Sequence, residues 1–212
     1  MQLGAFSGMI YTICEWIARL AYLNLLWILF TLSGFVVFGF FPSTIALLAT
    51  LRQFLNKNHP PIFKTFWHYY KKEFLNSNKL GLIIVIIVLI FYINIQYLQS
   101  TFNEGTGFLF YSSMIISCMY LLIICYTLAS YVEFEQPLGT HIKNALLITV
   151  YSPIPSLFLI FGFAAVYFAV TKISGLGFFF SVSILGLVIL SSANLAYKRV
   201  SRKQEQLGNR VG

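Results

Sequence analysis

The chain has 212 residues, of which 58% are hydrophobic and only 9% charged, with a formal net charge of +8 and a mean hydropathy of +0.81. Ordinary soluble domains are about 45–50% apolar, and a soluble chain this poor in charge could not cover its surface. A water-soluble globular protein is excluded, no length remains for a separate soluble domain, and the basic balance reflects membrane topology rather than a nucleic-acid groove.

Five stretches carry no Asp, Glu, Lys or Arg: residues 20–51, 80–103, 105–132, 144–171 and 173–197. Each exceeds the ~20 apolar residues that cross a hydrocarbon core of roughly 30 Å. The run Ile83-Ile84-Val85-Ile86-Ile87-Val88-Leu89-Ile90 is apolar on every face. A barrel strand would alternate, so the fold class is all-α: a polytopic helical membrane bundle of five to six membrane helices, with six preferred.

At the N-terminus Met1-Gln2-Leu3-Gly4-Ala5-Phe6 has no basic n-region, so the first span is expected to act as its own uncleaved anchor. The first charge-free stretch, at 1.5 Å per residue, would give about 48 Å of helix, too long for one unkinked span. Gly34, Gly39 and Pro42 break it. Proline is tolerated in a first helical turn, which predicts a span over residues 20–38 and a shorter helix over 42–55. If the second helix crosses back there are six spans and a cytoplasmic N-terminus. If it lies along the interface or re-enters there are five.

Residues 61–76 follow Pro60-Pro61 and read as an amphipathic helix lying at the cytoplasmic interface. Phe63, Phe66, Trp67, Tyr70 and Phe74 recur every three to four positions, with Lys64, Lys71, Lys72 and His68 mainly on other faces. Such a helix suits either an anionic inner leaflet or a cytoplasmic partner. Spans are then predicted over residues 80–98, 107–130, 144–170 and 175–197, with a basic tail over 198–212. Pro153 and Pro155 remove backbone donors, so the fourth of these charge-free stretches should start late or kink near residues 151–156. Ser113/Ser117, Ala165/Ala169 and Gly177/Ser181 are candidate close-packing seams.

Most of the 14 basic residues fall in residues 52–79 and 198–212. The positive-inside rule places both segments in the cytoplasm, and an even number of crossings between them agrees. Residues 99–107 and 171–176 are then outside and 131–143 inside.

Chemistry is sparse. There is no Asp, and all six Glu lie outside the predicted span interiors. Proton relays and carboxylate cation sites therefore lack residues. Cys14, Cys118 and Cys125, and His59, His68 and His141, match no metal or redox spacing, so neither metal nor cofactor is expected. The polar residues within or near spans are Asn24, Asn94, Gln96, Asn144 and Asn194; Asn24 could bond across to another helix.

The run Tyr22-Leu23-Asn24-Leu25-Leu26-Trp27, then Gly34, Phe38-Gly39 and Phe41-Pro42-Ser43-Thr44, resembles the N-terminal signature of YesL-type proteins. Phe63-Lys64-Thr65-Phe66-Trp67 and Lys72-Glu73-Phe74, with Asn78 and Gly81, continue the pattern. The resemblance is sharpest over residues 20–82, and Ser43 stands where Ala is expected. YesL-type proteins are small integral membrane proteins of Gram-positive bacteria with a domain of unknown function. They are commonly encoded beside carbohydrate ABC-transporter components, so the resemblance implies a helper role in sugar uptake. It carries over no catalytic residues. Asn24, Trp27, Gly34, Gly39 and Pro42 are expected to serve packing.

Three functions remain. The first is a non-enzymatic membrane accessory protein that meets an importer through residues 57–79 and the tail. The second is a small permease or channel subunit, for which Glu133 and Gly139 share the six-residue offset of a permease coupling loop. A polar cavity bounded by Asn24, Asn94, Tyr151 and Ser152 would favour it. The third, a membrane enzyme, would need a cluster such as His141, Glu133 and Cys125.

Overall fold

The computed structural model describes residues 2–58, 60–100, 107–173 and 175–211, with the side chains of those between 8 and 202. Among the described residues every regular element is a helix: α1 Gln2–Ser33, α2 Val37–Leu55, α3 Ile62–Ser100, α4 Gly107–Glu133, α5 Leu138–Tyr151, α6 Pro153–Lys172 and α7 Leu176–Val211. Six of them, all except α5, are long and apolar enough to cross a membrane. The helices fall into two compact units, one formed by Met1–Phe74 and Ile160–Leu190, the other by Leu75–Leu159 and Ser191–Gly212.

Both boundaries of the first hairpin differ from the sequence expectation. Helix α1 begins near the N-terminus and includes Glu15 and Arg19, which pair at i,i+4 within the helix. Neutralised in this way, a carboxylate lies inside an apolar helix where none was expected. Trp16 and the Arg19 guanidinium both pack on the ring of Phe54 near the end of α2, the latter 5.0 Å from its centroid.

The break comes at residues 34–36, before Pro42. The Phe35 amide donates to the Leu32 carbonyl at 3.0 Å and the Val36 amide to the Thr31 carbonyl at 2.9 Å. This is the paired 5→2 and 6→1 pattern that closes a helix C-terminus, with Phe35 in the left-handed region at φ 55°. The same closure ends α2, where Lys57 has φ 61° and the Asn58 amide reaches the Gln53 carbonyl at 3.0 Å. Helix α2 restarts at Val37 and carries Pro42 inside it. Since Pro42 sits only six residues into the helix, it removes a single ladder donor rather than a turn. With 19 residues, α2 is a full-length candidate span and not a short helix.

Gly34 and Gly39 are where two backbones touch. A Cβ at Gly39 would fall 2.5 Å from the Thr31 carbonyl oxygen and 2.8 Å from that of Phe30, and one at Gly34 would fall 2.6 Å from the Gly39 nitrogen. Glycine is needed for approach, not for a positive φ. Helix α2 forms the core of its unit, with Ile45, Ala46, Leu47, Leu48 and Leu51 all buried. Gly186 of α7 admits the side chains of Leu47, Leu48 and Leu51, and Gly162 of α6 lies against Val188. The Ala165/Ala169 seam is not used in this way, because Ala165 is exposed.

Residues 61–76 and the following span form one continuous helix, α3, of 39 residues. No proline separates them, and the helix runs through Asn76-Ser77-Asn78 and Gly81 without a break. At 1.5 Å per residue α3 runs about 58 Å, far beyond a hydrocarbon core. Helix α7 likewise continues through the basic segment to Val211. The stretch over residues 144–170 is two helices: α5 ends at Tyr151, Ser152 is the cap, and α6 opens at Pro153. Proline has no donor to offer at a helix start, so the break falls where the two prolines placed it.

Gly39→Ala is expected to destabilise the protein by about 2–3 kcal/mol through overpacking. Gly139→Ala, where a Cβ would meet nothing within 4 Å, should change stability far less. Thermal unfolding of the two variants in detergent checks the contrast.

Candidate functional site

In the first unit, Phe30 of α1 organises the start of α3. Its ring centroid lies 5.2 Å from Phe66, 5.2 Å from Trp67 and 5.0 Å from Tyr70. The Tyr70 hydroxyl donates to the Phe30 carbonyl at 3.3 Å. Phe66 and Tyr70 are therefore buried in the unit and offer no surface, contrary to their sequence-based placement. Phe74 is half-buried with its edge on Tyr70 at 5.6 Å. Of the recurring aromatics, Phe66 and Tyr70 face protein, whereas Phe63 and Trp67 stay exposed.

The other side of the same turns stays open. Phe63, Lys64, Trp67, His68, Lys71 and Lys72 line a shallow depression. The Lys71 ammonium sits 4.3 Å from the Trp67 ring centroid, a cation–π contact, and Trp67 stacks on Tyr70 at 5.9 Å. The face is thus aromatic and cationic, with the Phe30 cluster packed beneath it. His59 lies outside the described residues.

The signature residues form a second arrangement. The Trp27 indole donates to Thr44 Oγ1 at 3.1 Å, and Thr44 Oγ1 donates to the Phe40 carbonyl at 2.7 Å. Together with Gly34, Gly39 and Pro42 this fixes the α1–α2 hairpin. The buried carboxamide of Asn24 reaches α7: its Nδ2 donates to the Phe178 carbonyl at 2.6 Å, while its Oδ1 accepts from the amides of Val182 at 3.1 Å and Ser183 at 3.2 Å. Phe178 and Val182 are an i,i+4 pair, so the side chain bonds the two backbone groups that a regular ladder joins. The Ser43 hydroxyl is buried with no hydrogen-bond partner, at the position where the resemblance leads one to expect alanine.

In the second unit, Tyr126 of α4 meets Ser192 of α7 at 2.9 Å and Ser156 of α6 at 3.5 Å. Ser192 Oγ donates to the Pro155 carbonyl at 2.7 Å, and Ser156 Oγ to the Ser152 carbonyl at 3.2 Å. Hydroxyls from three helices thereby hold the proline break. His141, 1% exposed, joins α5 to α4: Nε2 lies 3.0 Å from the Gln136 carbonyl, and Nδ1 lies 3.0 Å from Ser130 Oγ. The carbonyl can only accept, so Nε2 carries the proton and Nδ1 accepts from the serine. Burial pushes this imidazole below its ordinary pKa, partly opposed by the bond to the Gln136 carbonyl.

A groove of about 960 Å³ opens beside this break. Its lining includes Asn144, Tyr151, Ser152, Arg199 and Arg202 but neither Asn24 nor Asn94. Asn94 instead accepts from Ser113 Oγ at 3.0 Å. The spacing of Pro137 and Pro153 could have revealed a short helix bracketed by prolines. The convergence of Tyr126, Ser156 and Ser192 had no sequence signal. Among the described residues no three His, Cys, Asp or Glu are grouped to hold a metal.

These features define a multi-pass helical membrane protein whose open sites are cationic and aromatic. The chain belongs to the YesL-type family, and the family profile described as "Protein of unknown function, DUF624" matches residues 20–95. Three Bacillus subtilis (strain 168) proteins are similar to it. The "Uncharacterized protein YesV" is 32% identical over 94% of this chain and 96% of its own. The "Uncharacterized protein YteU" is 34% identical over 84% and 80%, and the "Uncharacterized protein YesL" 30% over 91% and 91%. No solved structure matches.

Asn24→Leu would leave the Val182 and Ser183 amides without their side-chain acceptor and is expected to cost about 1–2 kcal/mol, seen in thermal unfolding in detergent. Because the folded state holds His141 at a lowered pKa, the unfolded state binds more protons below about pH 6.5. Stability should therefore fall as pH drops from 7.5 to 5, and His141→Gln should flatten that fall.

Proposed function

We propose that the protein is a non-enzymatic accessory subunit of the cell membrane that assists carbohydrate uptake by an ABC-type importer. The observation that carries this reading is the open face of α3: Phe63, Lys64, Trp67 and Lys71 are exposed, while Phe66 and Tyr70 beneath them are locked to Phe30. A face that is preorganised loses little entropy on docking. Exposed aromatic side chains such as Phe63 and Trp67 are enriched where proteins meet, and the lysines beside them suit an acidic partner surface.

The positive-inside rule argues for the basic C-terminal segment, this face and α5 on the cytoplasmic side. The face is then available to the cytoplasmic subunits of an importer and close to the anionic inner leaflet. The carbohydrate substrate class comes from the genomic company that the family resemblance implies. Small-solute transport has one observation in its favour, the proline break at Ser152 beside the groove, since interrupted helices line sites in transporters.

The test is site-specific photocrosslinking from position 64 or 67 of the full-length protein in sugar-induced cells. Importer subunits should be recovered, and a Lys64→Glu/Lys71→Glu variant should lower the yield at least fivefold. Recovery of no importer subunit, with sugar uptake unchanged in a deletion strain, would overturn the proposal.

A further inference from the structure

The groove in the second unit has a chemistry that neither the docking face nor the helix packing requires. Its walls are apolar, with Leu147, Ile148 and Ile154 among them, and its rim carries Arg199 and Arg202, both exposed. Asn144, Tyr151 and Ser152 add hydrogen-bonding groups. Glu133 and Glu135, which flank the lining residue Phe134, are not part of the lining. Among the described lining residues the charged side chains are therefore all cationic. The first residues of α6, Pro153 and Ile154, also line it, so the positive end of a helix dipole adds to the arginines.

Position decides what kind of anion fits. The groove lies where apolar segments end: α4 closes at Glu133, α6 opens at Pro153, and the charge-free stretch of α7 stops at Tyr197, before Lys198. That is the depth of a phospholipid headgroup. From Ile154 an apolar stripe continues along α6 through Leu157 and Phe158, at i+3 and i+4, which are 51% and 47% exposed. An acyl chain can lie on that stripe while its phosphate meets the rim. A free anion would use only the rim, and a soluble peptide would have to displace lipid from the stripe.

We propose that this groove binds one anionic phospholipid, its phosphate held by Arg199 and Arg202 and one acyl chain laid against Ile154, Leu157 and Phe158. Basic pockets between membrane helices on the cytoplasmic side are a general means of holding acidic headgroups. Bound there, the lipid would tie α5 and residues 197–202 of α7 to the inner leaflet, independently of the face on α3.

The experiment is native mass spectrometry of the full-length protein in detergent, titrated with phosphatidylglycerol or with phosphatidylcholine of identical chains. Phosphatidylglycerol should be retained at least tenfold more tightly. Arg199→Gln and Arg202→Gln should each reduce that preference about fivefold, and the double variant more. Lys172→Gln, an exposed cation outside the groove lining, should leave it unchanged. Circular dichroism confirms that each variant is helical; if the double variant is not, the single exchanges decide. Equal retention of the two lipids, or a preference indifferent to both arginines, would overturn the proposal. So would displacement of the lipid by millimolar glycerol 3-phosphate, which would mark the rim as a site for free anions. An acidic peptide displacing it equally well would mark the groove as a protein interface.

Discussion

In hydrocarbon no solvent can satisfy a backbone amide or carbonyl, so every interruption of a helix must be answered by another part of the protein. This constraint explains where the few polar side chains of the chain have gone. The α1–α2 turn closes on its own carbonyls by the 5→2 and 6→1 pattern. The proline break between α5 and α6 is met by Ser156 and Ser192, with Tyr126 between them. The opening turns of α7 receive the carboxamide of Asn24. Many of the remaining hydroxyls return to the carbonyl four residues back, as Thr50, Thr127 and Thr149 do.

A second consequence is how packing is achieved without a hydrophobic driving force between helices. Close contact comes from residues that have little or no side chain. Gly34 and Gly39 let the hairpin backbones meet, and Gly186 accepts three leucines of α2. These contacts make α2 the most enclosed of the candidate spans. The outward faces of α3, α4 and α6 remain apolar and exposed, as lipid requires.

Against this background the two open cationic features stand apart, because neither answers a backbone need. The face of α3 is fixed by Phe30 and presents Lys64 and Lys71 beside Trp67. The groove at the end of α4, the start of α6 and residues 197–202 of α7 presents Arg199 and Arg202 above apolar walls. One suits a protein partner and the other an acidic lipid.

The sequence by itself determined that this chain is a helical membrane protein with about six spans, because charge-free length and hydropathy act locally and need no partner. It also located the break at Pro153 and the family signature around Asn24 and Trp27, since proline and small-residue effects are local too. Only the tertiary structure decided which side of the aromatic helix is covered: Phe66 and Phe63 share one periodicity, and nothing in the order of residues says that Phe30 will claim the first and leave the second open. It alone decided that Gly39 and Pro42 lie inside a helix, because the turn's position rests on a close backbone approach and on Phe35 accepting a left-handed φ. The groove was likewise out of reach, since residues 144–154 and 197–202 meet only after the chain has folded back on itself.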